Sequence, residues 1–190
     1  DCDRALRAAT RTTFDRLDSD GCQSTNDTVL LMASGASGII PSAADFDEAV
    51  RQLCADLAGQ LLRDAEGSAH DISLEVVNAL TEDEAVEVAR SIARSNLFKC
   101  AVFGEDPNWG RVLASIGTTT ATFDVFAVDV TFNGVQVCQA GAAYEDPALV
   151  RFDGREVHVL LDLHAGHATA TVRTNDLTTA YVHENSAYST

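Results

Sequence analysis

Hydrophobic positions recur along this chain with two periods, and the changes between them mark out its elements. Leu6, Thr10, Thr13, Phe14 and Leu17 have helical spacing within Arg4 to Leu17, ahead of the turn residues Asp18 to Gly21. The polar run Ser24 to Thr28 leads into Val29 to Ala33, a compact apolar run bounded by Gly35 and Gly38, which predicts a buried strand with a polar entry. Ser42 followed by Asp45 is close to a capping box. Behind it, Phe46, Val50, Leu53, Leu57 and Leu61 trace one face of a long helix ending near Gly67. Ile72, Leu74 and Val76 alternate as a strand, and Thr81 with Glu84 opens a further helix to about Ser95.

The stretch Lys99 to Gly117 predicts strand, loop and helix. Phe98 and Ala101 to Phe103 supply the strand, Gly104 and Pro107 punctuate it, and Asn108 caps a helix from Trp109 to Ile116. Val128, Val130 and Phe132 alternate up to Asn133-Gly134, and Val135 and Val137 continue the pattern as a hairpin. After the acidic loop Glu145 to Gly154, the runs Val157 to Leu163 and Ala168 to Val172 predict a second hairpin around Ala165-Gly166. A tail beginning at Asp176 ends on small polar residues, where fraying is the ordinary expectation. Strands alternating with at least four helices predict one layered α/β domain over residues 1–190.

Composition narrows the partners. With 46% apolar residues the 190-residue chain can bury a substantial core. Its 29 acidic residues against 13 basic ones give a formal charge of −16, which repels nucleic acid and anionic membrane surfaces. The five cysteines form no CxxC pair and suggest free thiols in a reducing cytoplasm. No apolar run approaches the roughly 18 residues of a membrane helix.

Three places concentrate polar chemistry. The loop before Trp109 holds Glu105, Asp106, Asn108 and, one turn on, Arg111; it either arranges a ligand at a helix start or satisfies its own turn. Asn26 and Asp27 present the same pair of readings. Glu66 lies at the negative end of the long helix, where an anion is mildly unfavourable; on spacing alone it reads as a frayed, exposed surface residue. His158, His164 and His167 cluster near the last predicted turn, but strand alternation does not bring them together, and neither a metal nor a cofactor is expected.

STNDTVLL (Ser24 to Leu31), the Asp64-Ala65-Glu66-Gly67 helix end, FGEDPNWGRVLASIG (Phe103 to Gly117) and DLTTAYVHENSAYST (Asp176 to Thr190) resemble, in order, the β-chain of the ornithine acetyltransferases, also called glutamate N-acetyltransferases. The resemblance implies a layered α/β sandwich similar to that of N-terminal-nucleophile hydrolases. It implies a precursor that cuts itself before a Thr, whose hydroxyl takes an acetyl group from N2-acetylornithine and passes it to glutamate in a ping-pong reaction. An oxyanion hole from the α-chain, a dimer of α/β pairs and a cytoplasmic role in arginine biosynthesis come with it. The chain opens at Asp1 without the cleavage junction, so the nucleophile is expected upstream of Asp1. Glu66, Asn185 and Thr190 match the family's substrate-binding residues, and Asn26, Asp27, Asp106 and Arg111 are expected to scaffold the site. A related amidohydrolase or aminopeptidase, and a non-catalytic module that binds an α-chain, are the alternatives.

Overall fold

Alternation in Asp71–Ala79 (β1) puts Ile72, Leu74 and Val76 on one face of the strand, each wholly buried. The same alternation holds in Asp129–Phe132 (β2), Glu156–Asp162 (β5) and Ala168–Asn175 (β6). With Val135–Gln139 (β3) and the short Ala142–Ala143 (β4) these form one mixed sheet in the order β4-β3-β2-β5-β1-β6. The computed structural model describes residues 1–187. Three helices cover the apolar face: Glu82–Ala93 (α3), Asn96–Phe103 (α4) and Trp109–Ile116 (α5). Val88, Ile92, Phe98, Val102, Val112 and Ile116 close the core over the strands. The other face carries Ser73, Glu75, His158, Thr171 and Arg173, partly or fully open. Cys2–Thr12 (α1) and Ala43–Arg63 (α2) make a separate small cluster through Ala5, Ala9, Val50 and Cys54.

Capping residues set the helix starts as the sequence predicts. Ser42 accepts from the Asp45 N–H, Thr81 from Glu84 and Asn108 from Arg111, each satisfying an otherwise unpaired donor. The hairpin at Asn133-Gly134 joins β2 to β3, with φ of +45° and +86° at the two turn residues, the left-handed backbone that a two-residue turn requires.

Three expectations are overturned. Phe98 to Phe103 lies in helix α4, not in a strand. Ser95 caps that helix by accepting from the Phe98 N–H, and the buried positions Phe98, Lys99, Ala101 and Val102 follow a helical spacing that a short apolar run does not distinguish from a strand. The runs Val157 to Leu163 and Ala168 to Val172 are strands but not a hairpin. β1 lies between them, parallel to β5 and antiparallel to β6. The connection passes under the end of β1, where the Ala165 and Gly166 N–H groups donate to the Asn78 carbonyl and a Cβ on Gly166 would stand 2.4 Å from the Ala79 oxygen. The run Val29 to Ala33 forms neither helix nor strand; it is not buried and is not paired in the sheet.

The cysteines divide: Cys54 and Cys138 are buried, Cys22 and Cys100 exposed. Among the described residues no helix is long and apolar enough to cross a membrane.

Candidate functional site

The end of α2 is a tight turn that the sheet holds from below. The Arg155 guanidinium donates to the carbonyls of Arg63 and Ser68 (3.0 Å each) and to the Asp71 carboxylate (2.9 Å). The Asn175 amide donates to Leu62 O (3.1 Å), His70 O (3.2 Å) and Asp71 Oδ1 (3.0 Å). The helix end therefore has its carbonyls capped and a cation beside its negative pole, which offsets the awkward placement of Glu66.

Beyond Glu66 the backbone reverses at Gly67, with φ of +63°. A Cβ there would lie 2.3 Å from the Tyr181 nitrogen, so only glycine lets the turn press against Thr179–Ala187 (α6). Thr178 clasps the two segments, donating to Gly67 O (2.5 Å) and accepting from the Tyr181 N–H (2.9 Å). α6 in turn orients Asn185, whose amide donates to Tyr181 O at 2.9 Å.

Between these segments lies a cavity of about 110 Å³. Glu66 and Asn185 line it together with Asp20, Lys99, Asp176 and Tyr181. The structure thus brings Glu66 and Asn185, well over a hundred positions apart in sequence, to one place. Thr190 lies outside the described residues. Asn26, Asp27, Asp106 and Arg111 do not line the cavity. Arg111 instead donates to Leu97 O at 2.5 Å, tying α5 to the start of α4, and Asp106 accepts from the Asn108 amide at 2.9 Å. Asn26 and Asp27 lie exposed, their N–H groups donating to Ser24 Oγ.

Lys99, Asp176 and Tyr181 are cavity residues that sequence reasoning did not single out. Lys99 is 6% exposed, the one cation on the wall, with its ammonium donating to Ser19 O. Burial pushes its pKa down, while Asp20, Asp18 and Asp176 oppose that shift. The signal for it was a charge inside the apolar run Leu97 to Phe103, a costly placement without a partner. Asp176 is fully enclosed and accepts from the Ala69 and His70 N–H groups at 2.9 Å each, with His70 Nδ1 at 2.8 Å. The Tyr181 hydroxyl donates to Asp20 Oδ1 at 3.0 Å. Its pKa is pushed up to about 12, first by burial and then by that carboxylate, so it stays protonated. The wall of this partly open pocket thus carries one buried ammonium and the carboxylates of Asp20, Glu66 and Asp176.

The histidines do not converge. His158 Nε2 pairs with Glu75 at 2.9 Å and His164 Nε2 with Asp129 at 3.0 Å, and among the described residues no three metal-binding side chains cluster.

Comparison with known proteins gives a consistent answer. The arginine biosynthesis bifunctional protein ArgJ of Streptomyces coelicolor is 65% identical over 98% of this chain and 49% of its own length. The protein of the same name from Thermobifida fusca is 59% identical over the whole chain and 49% of its own. This chain thus spans about half the length of the curated relatives it matches. A crystal structure of arginine biosynthesis bifunctional protein ArgJ from Bacillus halodurans superposes with a TM-score of 0.91 at 34% identity, covering 98% of this chain and 92% of that one. That likeness shows the layered α/β fold to be the one expected of the family. The ArgJ family matches residues 1–190 without interruption, and the chain belongs to it.

Proposed function

We propose that this chain is the β-chain of a self-cleaved acetyltransferase that moves an acetyl group from N2-acetylornithine to glutamate. The observation that carries the reading is the meeting of Glu66 and Asn185 on one pocket in a chain that matches the family over residues 1–190. The half-length coverage of curated relatives, beside nearly full coverage of a solved chain, supports a precursor divided into two chains of similar size.

In this reading a Thr upstream of Asp1 is the nucleophile. Its hydroxyl oxygen attacks the acetyl carbonyl, ornithine leaves with the proton, and glutamate then displaces the acetyl group from the Thr. The residues of this chain bind and orient. The Glu66 carboxylate receives a substrate ammonium group, and the Asn185 amide and Thr190 hydroxyl are available to its carboxylate or acetyl oxygen. The buried Asp176–His70 pair and the Thr178 clasp keep the α2 turn and α6 in register around it. Asn26, Asp27, Asp106 and Arg111 act at a distance, as support. The partner is the α-chain of the same precursor, as a dimer of α/β pairs in the cytoplasm, serving arginine biosynthesis.

Intact mass of the natively purified protein, before and after N2-acetylornithine without glutamate, tests this directly. The expected result is two chains, of which the one containing these residues begins at a Thr and gains one acetyl group. A single unmodified chain would overturn the reading in favour of a binding module. Glu66→Ala should lower kcat/KM for acetylornithine by about tenfold to a hundredfold, the loss of a hydrogen bond to a charged group, while leaving Tm nearly unchanged. An unchanged specificity constant would remove Glu66 from the site.

A further inference from the structure

The segment from Thr28 to Ala33 belongs to no helix or strand and has no neighbour in the sheet. Leu31 packs onto the α1–α2 cluster, while Leu30 and Met32 on either side of it are 74% and 87% exposed. Among the described residues no hydrogen bond engages the main chain of Thr28 to Ala33, although the turns on both sides of it are pinned by Ser24 and Ser34. Ile39 and Ile40, just beyond, are 77% and 95% exposed. From Thr28 to Ala44 there is no charged residue, in a chain whose formal charge is −16. An uncharged, outward-facing apolar ribbon with free N–H and C=O groups is a template for strand addition, and native chains do not leave such edges bare.

We infer that Thr28 to Ala33 pairs as a strand with a sheet edge of the other half of the precursor, Leu30 and Met32 filling apolar positions there. The inference rests on the two-chain reading above. The other half is the occupant because the curated relatives are about twice as long as this chain, which leaves a segment of similar size to cover the ribbon. A second copy of this chain is the weaker choice, since it would bring a further −16 to the contact. Leu31 fixes the register: it anchors the ribbon to α1 and α2, so that strand addition needs no refolding of this chain.

Hydrogen exchange and photo-crosslinking of the assembled two-chain protein test it. Main-chain amides of Thr28 to Ala33 should exchange at least about a hundredfold more slowly than those of Ser34 to Ser37, as expected of a ladder against an open loop. A photoreactive phenylalanine analogue at Met32 should link to the other half. The paired substitutions Leu30→Lys and Met32→Lys should weaken the association of the halves at least tenfold. Exchange as fast as in the Ser34 to Ser37 loop, with the two chains still co-purifying, would overturn the strand and leave the two-chain enzyme standing. A crosslink from Met32 to a second copy of this chain would overturn the choice of occupant. Failure of the halves to co-purify would overturn both this inference and the reading it rests on.

Discussion

β1 and the ribbon at Thr28 to Ala33 are both apolar stretches whose sequences predict a strand, and they have opposite surroundings. Ile72, Leu74 and Val76 of β1 are wholly buried between β5 and β6, under α3. Leu30 and Met32 of the ribbon stand in solvent. An apolar run therefore states that a surface is to be covered, but not which chain covers it. For β1 the cover is local, supplied within about a hundred residues of the same chain; for the ribbon nothing in residues 1–187 supplies it.

The difference is sharpest in side-chain deletions. Leu74→Ala should destabilise the protein by about 2–5 kcal/mol, the cost of a cavity in a close-packed core, whereas Leu30→Ala in this chain alone should change stability by no more than about 0.5 kcal/mol. Denaturant titration of the two variants gives both numbers, and equal losses would erase the distinction. Glycines offer a second contrast. Gly67 and Gly35 have almost the same backbone, φ +63° and +68°, but a Cβ at Gly67 meets the Tyr181 backbone at 2.3 Å while one at Gly35 meets nothing within 4 Å. Gly67→Ala should cost about 3 kcal/mol, combining left-handed strain with displacement of α6, and should impair substrate use with it. Gly35→Ala should cost about 1 kcal/mol, from strain alone. Asp176→Asn should come next, at about 1–3 kcal/mol, because it removes the charge that the Ala69 and His70 N–H groups and the His70 ring face. Asp27→Asn, in an exposed turn where the main chain alone is bonded, should be neutral within about 0.5 kcal/mol.

What the sequence made legible follows from how local each cause is. Helix starts were readable because Ser42, Thr81 and Asn108 act on N–H groups within a turn of themselves. The Asn133-Gly134 turn was readable for the same reason. The fate of Phe98 to Phe103 was not, since a buried helix of eight residues and a buried strand present the same apolar run; the Ser95 cap was the discriminating mark. The partnership of β5 and β6 was equally hidden: both flank β1, and the turn between them reads as a hairpin until β1 is laid in the gap. At the cavity, Glu66 and Asn185 came from resemblance, and neither spacing nor period would have joined them. Lys99 was marked by a charge in an apolar run, but Asp176 read only as the start of a polar tail, and its real work, holding His70 and the α2 turn, depends on contacts more than a hundred residues away.

The smallest effect lies on the sheet body and concerns pH. The hydrogen bond from His164 to the Asp129 carboxylate, aided by the nearby charge of Asp162, raises the imidazole pKa above its ordinary 6.5. Because the folded value is the higher one, the protonated form favours folding. The contribution is fully present below pH 6.5, while Asp129 and Asp162 stay ionised, and is lost as pH rises through the raised folded value. His164 is half exposed, so screening holds the contribution below about 1 kcal/mol. His164→Asn suits the test, since asparagine tolerates the left-handed backbone at this position, φ +49°. The stability gap between the wild type and this variant should be widest near pH 5.5 and close by about pH 9, read as Tm across that range. The ribbon has no titratable side chain from Thr28 to Ala44, so its exchange protection in the two-chain assembly should stay flat over the same range once intrinsic exchange rates are corrected. A ribbon whose protection followed the His164 profile would mean that its docking depends on the charges of the sheet body rather than on apolar pairing.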